Sequence, residues 1–424
     1  MLYALLLGLG MGVLAGLVPS LGSASIMLVC LPLLLAMDPV HALYAYLALV
    51  ISNQYLGSVT AIYTGVPGTE ASVPTAREYP IIRSLGLSGV AIRQNATASI
   101  WGNIIGLGLM LVTLPIMHEL LVLYKNSIRL GIVMTTFVII VLMSERRLNA
   151  LVSLALGSFL VSLGYDPQTF ETHNLGLSIL DNGINWVVLL MGSLVGASIY
   201  RMRKMEIQTD SRETAESTPI FTSVVRGAGI GFIAGLVPGL SYILSSSLAY
   251  TVERNMRVNE SQQERTLKSI AASESAQSAG SVSMLIPFLL FSIPITAGEG
   301  VIMNVVTLHD SLESLFAELT GNLPLLFGYF ILVNAISYML ARSAKVVLKV
   351  ILRIPVYAIQ TFLVASGVVA VYMTADFGLV FDLVCYFVLM AVFYRTKLDP
   401  LPFIMGVLLW PTLSNGLYFF KELM

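Results

Sequence analysis

The sequence predicts an all-α polytopic membrane protein built from two inverted-topology repeats. Three observations predict it. Of its 424 residues 56 % are hydrophobic and only 11 % charged, against about 25 % charged in soluble domains, and the mean hydropathy is +0.84. Apolar windows such as Leu148 to Gly164 and Trp186 to Tyr200, with their flanks, approach the roughly 17 to 25 residues that a helix needs to cross hydrocarbon. Ten such windows and two irregular ones can be counted, and the alternating pattern of a membrane barrel is absent. Finally, GLGMGVLAGLVP (Gly8 to Pro19) aligns without gaps on GAGIGFIAGLVP (Gly227 to Pro238), with eight identities in twelve positions; this is an internal repeat.

Several classes are set aside early. A net charge of −1 without a long basic block gives no reason to expect nucleic acid. Cys30 and Cys385 sit singly in apolar runs and read as inert buried thiols, not as a disulfide or metal site. The N-terminal segment has no Lys or Arg before Arg77, which argues against a cleaved signal peptide and for Met1 opening the first helix. No HExxH, GxSxG or P-loop pattern supports a hydrolase or an ATP-driven pump. The chain is expected to be no enzyme and to carry no cofactor beyond Na+ as a coupling ion.

Charge distribution sets the topology. Arg77, Arg83 and Arg93, Arg146 and Arg147, Arg201 to Arg226, Arg254 to Lys268, Arg342 to Arg353, and Arg395 with Lys397 mark cytoplasmic loops under the positive-inside rule. The polar stretch Arg201 to Pro219 reads as a linker. The first repeat then covers 1–200, with its N-terminus outside, a hairpin at 2–36, a span at 42–66 and four more spans. A cytoplasmic linker covers 201–226. The second repeat covers 227–424, with a hairpin at 227–250, a span at 270–293 and four more. Five crossings per half invert the second repeat relative to the first. Lys125 and Arg129 fall outside in this threading and are its one misfit.

Inverted repeats are the signature of secondary transporters, which bind substrate and ions near the midplane at broken helices from both halves. A channel or a non-transporting membrane scaffold is the alternative. The breaks follow Pro19 and Pro238, and a second pair lies in VPGTE (Val66 to Glu70) and SIPITAGEG (Ser292 to Gly300). Proline removes an amide donor and frees carbonyls, which a membrane tolerates only against protein or a wet cavity. Candidate substrate-binding residues are Pro19, Ser20, Gly22, Ser23, Asn53, Pro67, Gly68, Thr69, Pro238, Gly239, Ser241, Pro294 and Thr296. Freed amides favour an anion, and freed carbonyls with hydroxyls favour Na+. Candidate ion-binding residues are Ser58, Thr60, Ser245, Glu274 and Ser281. Each serine has an alternative role, bonding back to its own helix.

Gly10, Gly12 and Gly16, with Gly229, Gly231 and Gly235, present small faces for close helix packing. Glu274 is either a functional intramembrane carboxylate or an interfacial one in water. Arg93 and Asn95 open a span and read as headgroup anchors. His41, His118, His173 and His309 have no ligand spacing, and Trp101, Trp186 and Trp410 read as packing or belt residues. RSAKVVLKVILRIP (Arg342 to Pro355) reads as a basic amphipathic helix on the cytoplasmic surface.

GLVPSLGSASIMLVCLPLLLAMDPVHAL, GSVTAIYTGVPGTEASVPTAREYPIIRSLG, GFIAGLVPGLSYILSSSLAY and AASESAQSAGSVSMLIPFLLFSIP resemble, in order and spacing, the large membrane subunit of the tripartite tricarboxylate transporters. The resemblance implies a bacterial inner-membrane permease, driven by Na+ or H+, that takes up di- or tricarboxylates such as citrate. It also implies a small four-helix membrane subunit and a periplasmic substrate-binding protein as partners, with lipid around the bundle; a homodimer is one option for the oligomer. By motif, the carboxylate belongs at Pro19, at Pro67 with Gly68, at Pro238 with Gly239, and at Pro294, and the family's glutamate falls on Glu274. Ser20 and Ile295 stand where the family has glycine, and the chain is short for the family. Fold analogy adds an elevator motion, one hairpin-bearing domain moving against a scaffold of spans.

Overall fold

A computed structural model gives the architecture. It describes every residue except 19–20, 70–71, 145, 166–171, 203–217, 237–241, 292, 308–311, 376–377, 397 and 424; the side chains of 118–129, 143, 242–243, 307, 312–313, 316, 320 and 417–423 are likewise outside the description. The first half holds α1 (Leu2–Leu17), α2 (Ser23–Val29), α3 (Leu31–Leu35), α4 (Pro39–Thr64), α5 (Tyr79–Ser84), α6 (Ser88–Met143), α7 (Arg147–Val161) and α8 (Trp186–Arg201). The second holds α9 (Phe221–Leu236), α10 (Tyr242–Met256), α11 (Gln262–Phe291), α12 (Ala297–Thr307), α13 (Leu312–Gly321), α14 (Leu323–Ile351), α15 (Val356–Thr374), α16 (Leu379–Thr396) and α17 (Pro400–Leu423). A two-residue ladder, Gly164–Tyr165 against Thr172–His173, is the one sheet among the described residues. The chain is an all-α polytopic membrane protein.

Among the described residues, five helical segments are long and apolar enough to cross a membrane, and six shorter apolar ones accompany them. Burial separates inner from outer spans: 89 % of the apolar window of α4 is buried, against 22 % for α15 and for α16. The outer helices turn their apolar faces toward lipid, while α4 and α11 are enclosed by protein. Enclosure explains why α11 can be rich in serine and still lie inside the bundle: its neighbours, not lipid, surround it.

Two seams of glycine bring the inner helices together. In α1, Gly8, Gly12 and Gly16 lie so close to α4 that a Cβ would strike Ala45, Ser52 or Leu56. In α9, Gly227, Gly231 and Gly235 meet Ala272, Ala276 and Gly280 of α11 in the same way. Four-residue spacing puts each trio on one helix face, and the absent side chains let the backbones touch. Gly10 and Gly229 are not part of these seams, contrary to the sequence reading; nothing lies within 4 Å of a Cβ at either. Two further packed pairs complete the frame, α8 on α16 and α7 on α17.

Local signals account for the element ends that matter. Asp38 accepts from the His41 amide at 3.0 Å and Pro39 follows as the first helical residue, so α4 starts with a side-chain cap and a preset φ. Two expectations change. The helix α6 is continuous for 56 residues with Pro115 inside it, and it contains both an 88–117 span and a shorter apolar 130–142 segment; Lys125 and Arg129 lie where side chains are not described. The stretch Arg342 to Pro355 is not a separate surface helix: most of it is the end of the 29-residue α14, because its apolar face continues that of the preceding span.

Candidate functional site

The first wall of the site is the chain after α4. Gly65 ends that helix in the left-handed region at φ 76°, a conformation that costs glycine nothing. Arg83, buried nearby, donates from Nη1 to the Ile62 carbonyl at 2.8 Å, placing a cation at the carbonyl end of α4. The chain then passes through Pro67, Gly68 and Thr69. A Cβ at Gly68 would meet the Gly57 carbonyl, so only glycine lets the loop lie on α4. Ser72 fixes the turn: its hydroxyl donates to the Thr69 carbonyl at 2.7 Å and accepts from the Thr69 amide at 3.2 Å.

The second wall is the chain between α11 and α12. Thr296 and Glu299 form a reciprocal capping box. The Thr296 hydroxyl oxygen accepts from the Glu299 amide at 3.1 Å. In return, Glu299 Oε2 accepts from the amides of Ile295 and Thr296 at 2.7 and 3.0 Å. Glu299 is 1 % exposed, and its Oε1 has no hydrogen-bond partner among the described residues.

Between these walls, the starts of α2 and α17 and the end of α8 lies a cavity of about 320 Å³, in the size range of small-molecule sites. It brings together Gly22, Ser23, Asn53, Pro67, Gly68, Thr69 and Thr296, seven of the residues expected to bind substrate. Pro294 does not line it; Ile295 does. Pro19, Ser20, Pro238, Gly239 and Ser241 lie outside the described residues. Gln54, Gln277 and Arg201 also line the cavity. Asn53 Oδ1 and Gln54 Oε1 are buried acceptors without partners among the described residues. Arg201 is the one charged side chain among the described lining residues, and its Nη2 stands 3.9 Å from Asp399.

None of the residues expected to hold an ion lines this cavity. Ser58 and Ser281 donate their hydroxyls to the carbonyls of Gln54 and Ser278 in their own helices at 3.3 and 2.8 Å, the local role open to a membrane serine, whereas Thr60 donates across to the Gly16 carbonyl of α1 at 2.7 Å. Ser245 is fully buried. Glu274 is not interfacial: it is 2 % exposed on α11, one turn from the cavity residue Gln277. Its Oε1 is 3.5 Å from Asn95 Nδ2, and Oε2 has no partner among the described residues. Asn95 is buried as well, so it is no headgroup anchor; it lies where α6 packs on α11 beside Glu274, while Arg93 remains exposed. No group of three His, Cys, Asp or Glu side chains able to hold a metal occurs among the described residues. Both cysteines are free and half-buried.

The profile of the tripartite tricarboxylate transporter TctA family matches residues 2–405, nearly the whole chain. The chain belongs to this family. It is also similar to an Agrobacterium vitis protein described as "Uncharacterized 52.8 kDa protein in TAR-I ttuC' 3'region", with 25 % identity over 97 % of this chain and 85 % of that one. No solved structure matches the chain. As a member of the tripartite tricarboxylate transporter TctA family, the chain is a multi-pass transport protein of a system that includes accessory subunits and a substrate-binding protein.

Sequence reasoning missed Gln54, Gln277, Arg201 and Glu299. Two of them were signalled. Thr296-Ala297-Gly298-Glu299 has the capping-box spacing, and Gln277 follows Glu274 by three residues on an enclosed helix. Arg201 reads as a linker charge until α8 and α17 are seen to meet at the cavity.

Proposed function

We propose that this chain is the permease subunit of a secondary transporter that takes up a small organic carboxylate, with the cavity between Thr69 and Thr296 as its binding site. The observation that carries this reading is the meeting of two proline-marked breaks, Pro67 to Thr69 and Ile295 to Gly298, at one cavity with a guanidinium in its lining. Arg201 supplies the counter-charge; Thr69, Ser23, Asn53 and Gln277 supply hydrogen bonds. Glu274, with a buried unpartnered oxygen, takes the coupling H+ or Na+, the default role of an intramembrane carboxylate.

The helix pairings support two inverted repeats, 1–200 and 227–424, joined by the cytoplasmic linker 201–226. Exchanging the halves carries α1 on α4 into α9 on α11, and α8 on α16 into α17 on α7. The N-terminus then faces the periplasm of a bacterial inner membrane, and one hairpin-bearing domain moves against the remaining spans.

Proteoliposome uptake tests this reading. The purified chain, reconstituted with its accessory subunits and binding protein, accumulates labelled carboxylate, citrate being the first probe, only while a Na+ or H+ gradient stands. Accumulation that survives collapse of every ion gradient rules out coupling, and simple equilibration indicates a channel.

A further inference from the structure

The basic residues of this protein differ in how their charge is met. On α9, α10 and α11, Arg226, Arg254, Arg257 and Lys268 each pair with a glutamate, so their charge is answered inside the molecule. At the end of α14, Arg342, Lys345, Lys349 and Arg353 have no ion-pair partner among the described residues. The neighbouring sequence offers none, since no Asp or Glu stands between Glu318 and Asp376.

Spacings of three, four and four residues put these four on one face of the helix. The amides of Arg353 and Ile354 donate to the carbonyls of Val350 and Ile351, so the helical turn continues past Leu352 and keeps Arg353 in line. Arg342, Lys349 and Arg353 are exposed and Lys345 is half-buried. Its Nζ lies 4.9 Å from the centre of the Tyr63 ring, which fixes the inner edge of the row on α4. Alongside, Met339, Val346 and Val350 are 68, 70 and 59 % exposed.

The position of the row in the membrane follows from helix length. At 29 residues, α14 is about 43 Å long, which matches the hydrocarbon core plus both polar layers. Its last turns therefore lie among headgroups, and Arg342, the deepest of the four, reaches them because long basic side chains snorkel. An unanswered cationic row calls for anions, and the exposed apolar strip beside it calls for hydrocarbon. An anionic phospholipid supplies both in one molecule. A free anion would leave Met339 and Val350 uncovered, and a soluble acidic protein has no access to a face continuous with the bilayer core.

We propose that the end of α14 is a binding site for anionic phospholipid, with headgroup phosphates along Arg342, Lys345, Lys349 and Arg353 and acyl chains on Met339, Val346 and Val350. The site rests on the membrane-spanning fold and is independent of what the cavity carries.

Lipid titration of the full-length protein in detergent, read by native mass spectrometry, tests it. Dioleoylphosphatidylglycerol and dioleoylphosphatidylcholine share their acyl chains and differ in net charge. The unmutated protein binds the anionic lipid at least about tenfold more tightly, and the gap narrows as salt is raised. One basic residue near an anionic surface is worth about a fivefold gain. Lys349→Gln combined with Arg353→Gln therefore weakens phosphatidylglycerol binding roughly 25-fold and leaves phosphatidylcholine binding unchanged, while Lys349→Arg with Arg353→Lys retains the preference. Inorganic phosphate in excess does not displace the lipid. Equal binding of the two lipids, a preference unchanged in the double glutamine variant, or displacement by inorganic phosphate, which would mark a free-anion site, overturns the proposal. Lys349→Gln alone, expected to lose about fivefold, decides the matter if the double variant does not fold.

Discussion

Glu78 accepts a hydrogen bond from the Thr266 hydroxyl at 2.8 Å across 188 positions of chain. The same carboxylate accepts from the Tyr250 hydroxyl at 2.5 Å and pairs with Arg254. One buried side chain on the loop before α5 thus ties the first half of the molecule to α10 and α11 of the second. Glu78→Ala leaves three donors without their acceptor and is expected to cost about 3 kcal/mol. Thr266→Val, which removes one donor, costs about 1 kcal/mol. Thermal unfolding in detergent measures both, and equal effects would count against the shared network.

The glycine seams make a paired prediction. Gly12→Leu forces a side chain into Ser52 and Leu49 and lowers stability by roughly 3 kcal/mol or more. Gly10→Leu, two residues away in open space, stays within about 0.5 kcal/mol. Gly231→Leu and Gly229→Leu repeat the contrast in the second half. Size-exclusion profiles after a heat challenge read all four variants.

Asn334 of α14 joins three helices. Its Oδ1 accepts from Tyr55 of α4 at 2.9 Å and from Asn103 of α6 at 2.7 Å, and its Nδ2 donates to the Phe330 carbonyl. Hydrogen bonds between membrane helices are worth about 0.6 kcal/mol each, and at most about 1.7. Asn334→Leu, losing two of them, is expected to cost about 1 to 2 kcal/mol in the same unfolding assay. A double-mutant cycle with Tyr55→Phe should show coupling; strict additivity would refute the shared acceptor.

Glu260, in the loop before α11, provides a pH signal. Burial alone raises its carboxyl, but hydrogen bonds and charge from Lys268 and Arg257 at 2.9 and 2.7 Å overcome that and hold it below the usual carboxylate value. A depressed folded-state pKa contributes stability that is complete above the unfolded value and is lost as pH falls through the folded one. Glu260→Gln therefore lowers stability modestly at neutral pH, leaves it almost unchanged at acid pH where the contribution is already lost, and so flattens the acid limb of the stability profile. An acid limb identical to that of the unmutated protein would show that Glu260 is not responsible.

Glu274→Gln keeps the size and polarity of the buried side chain while removing its ability to take up H+ or pair with Na+. Coupled uptake is expected to fall at least about tenfold, while exchange of internal for external substrate, which needs no net ion movement, continues. Loss of exchange in a folded variant would make Glu274 part of the substrate site instead.

Much of this was legible in the residues. The repeated GLVP segments, the apolar windows and the proline after Val66 locate the bundle and one wall of the cavity, because periodicity and proline act locally. Glu274 and Asn95 were legible as polar residues but not as buried ones. Their burial depends on how α6 crosses α11, a long-range matter. Gly10 read as a seam residue because a sequence gives spacing but not which face turns toward a partner; Gly8 takes that place. Arg201 and Gln54 join the site only through tertiary contacts among α4, α8 and α17.

The seams also have a mechanical meaning. Where α1 meets α4 and α9 meets α11, no side chain separates the backbones, so a slip of one residue would drive a Cβ into a carbonyl. Each pair is therefore held in one register. Any change of access to the cavity must be taken up elsewhere, between α4 and α14 or at the loops on either side of Gly68 and Gly298, where side chains cushion the contact.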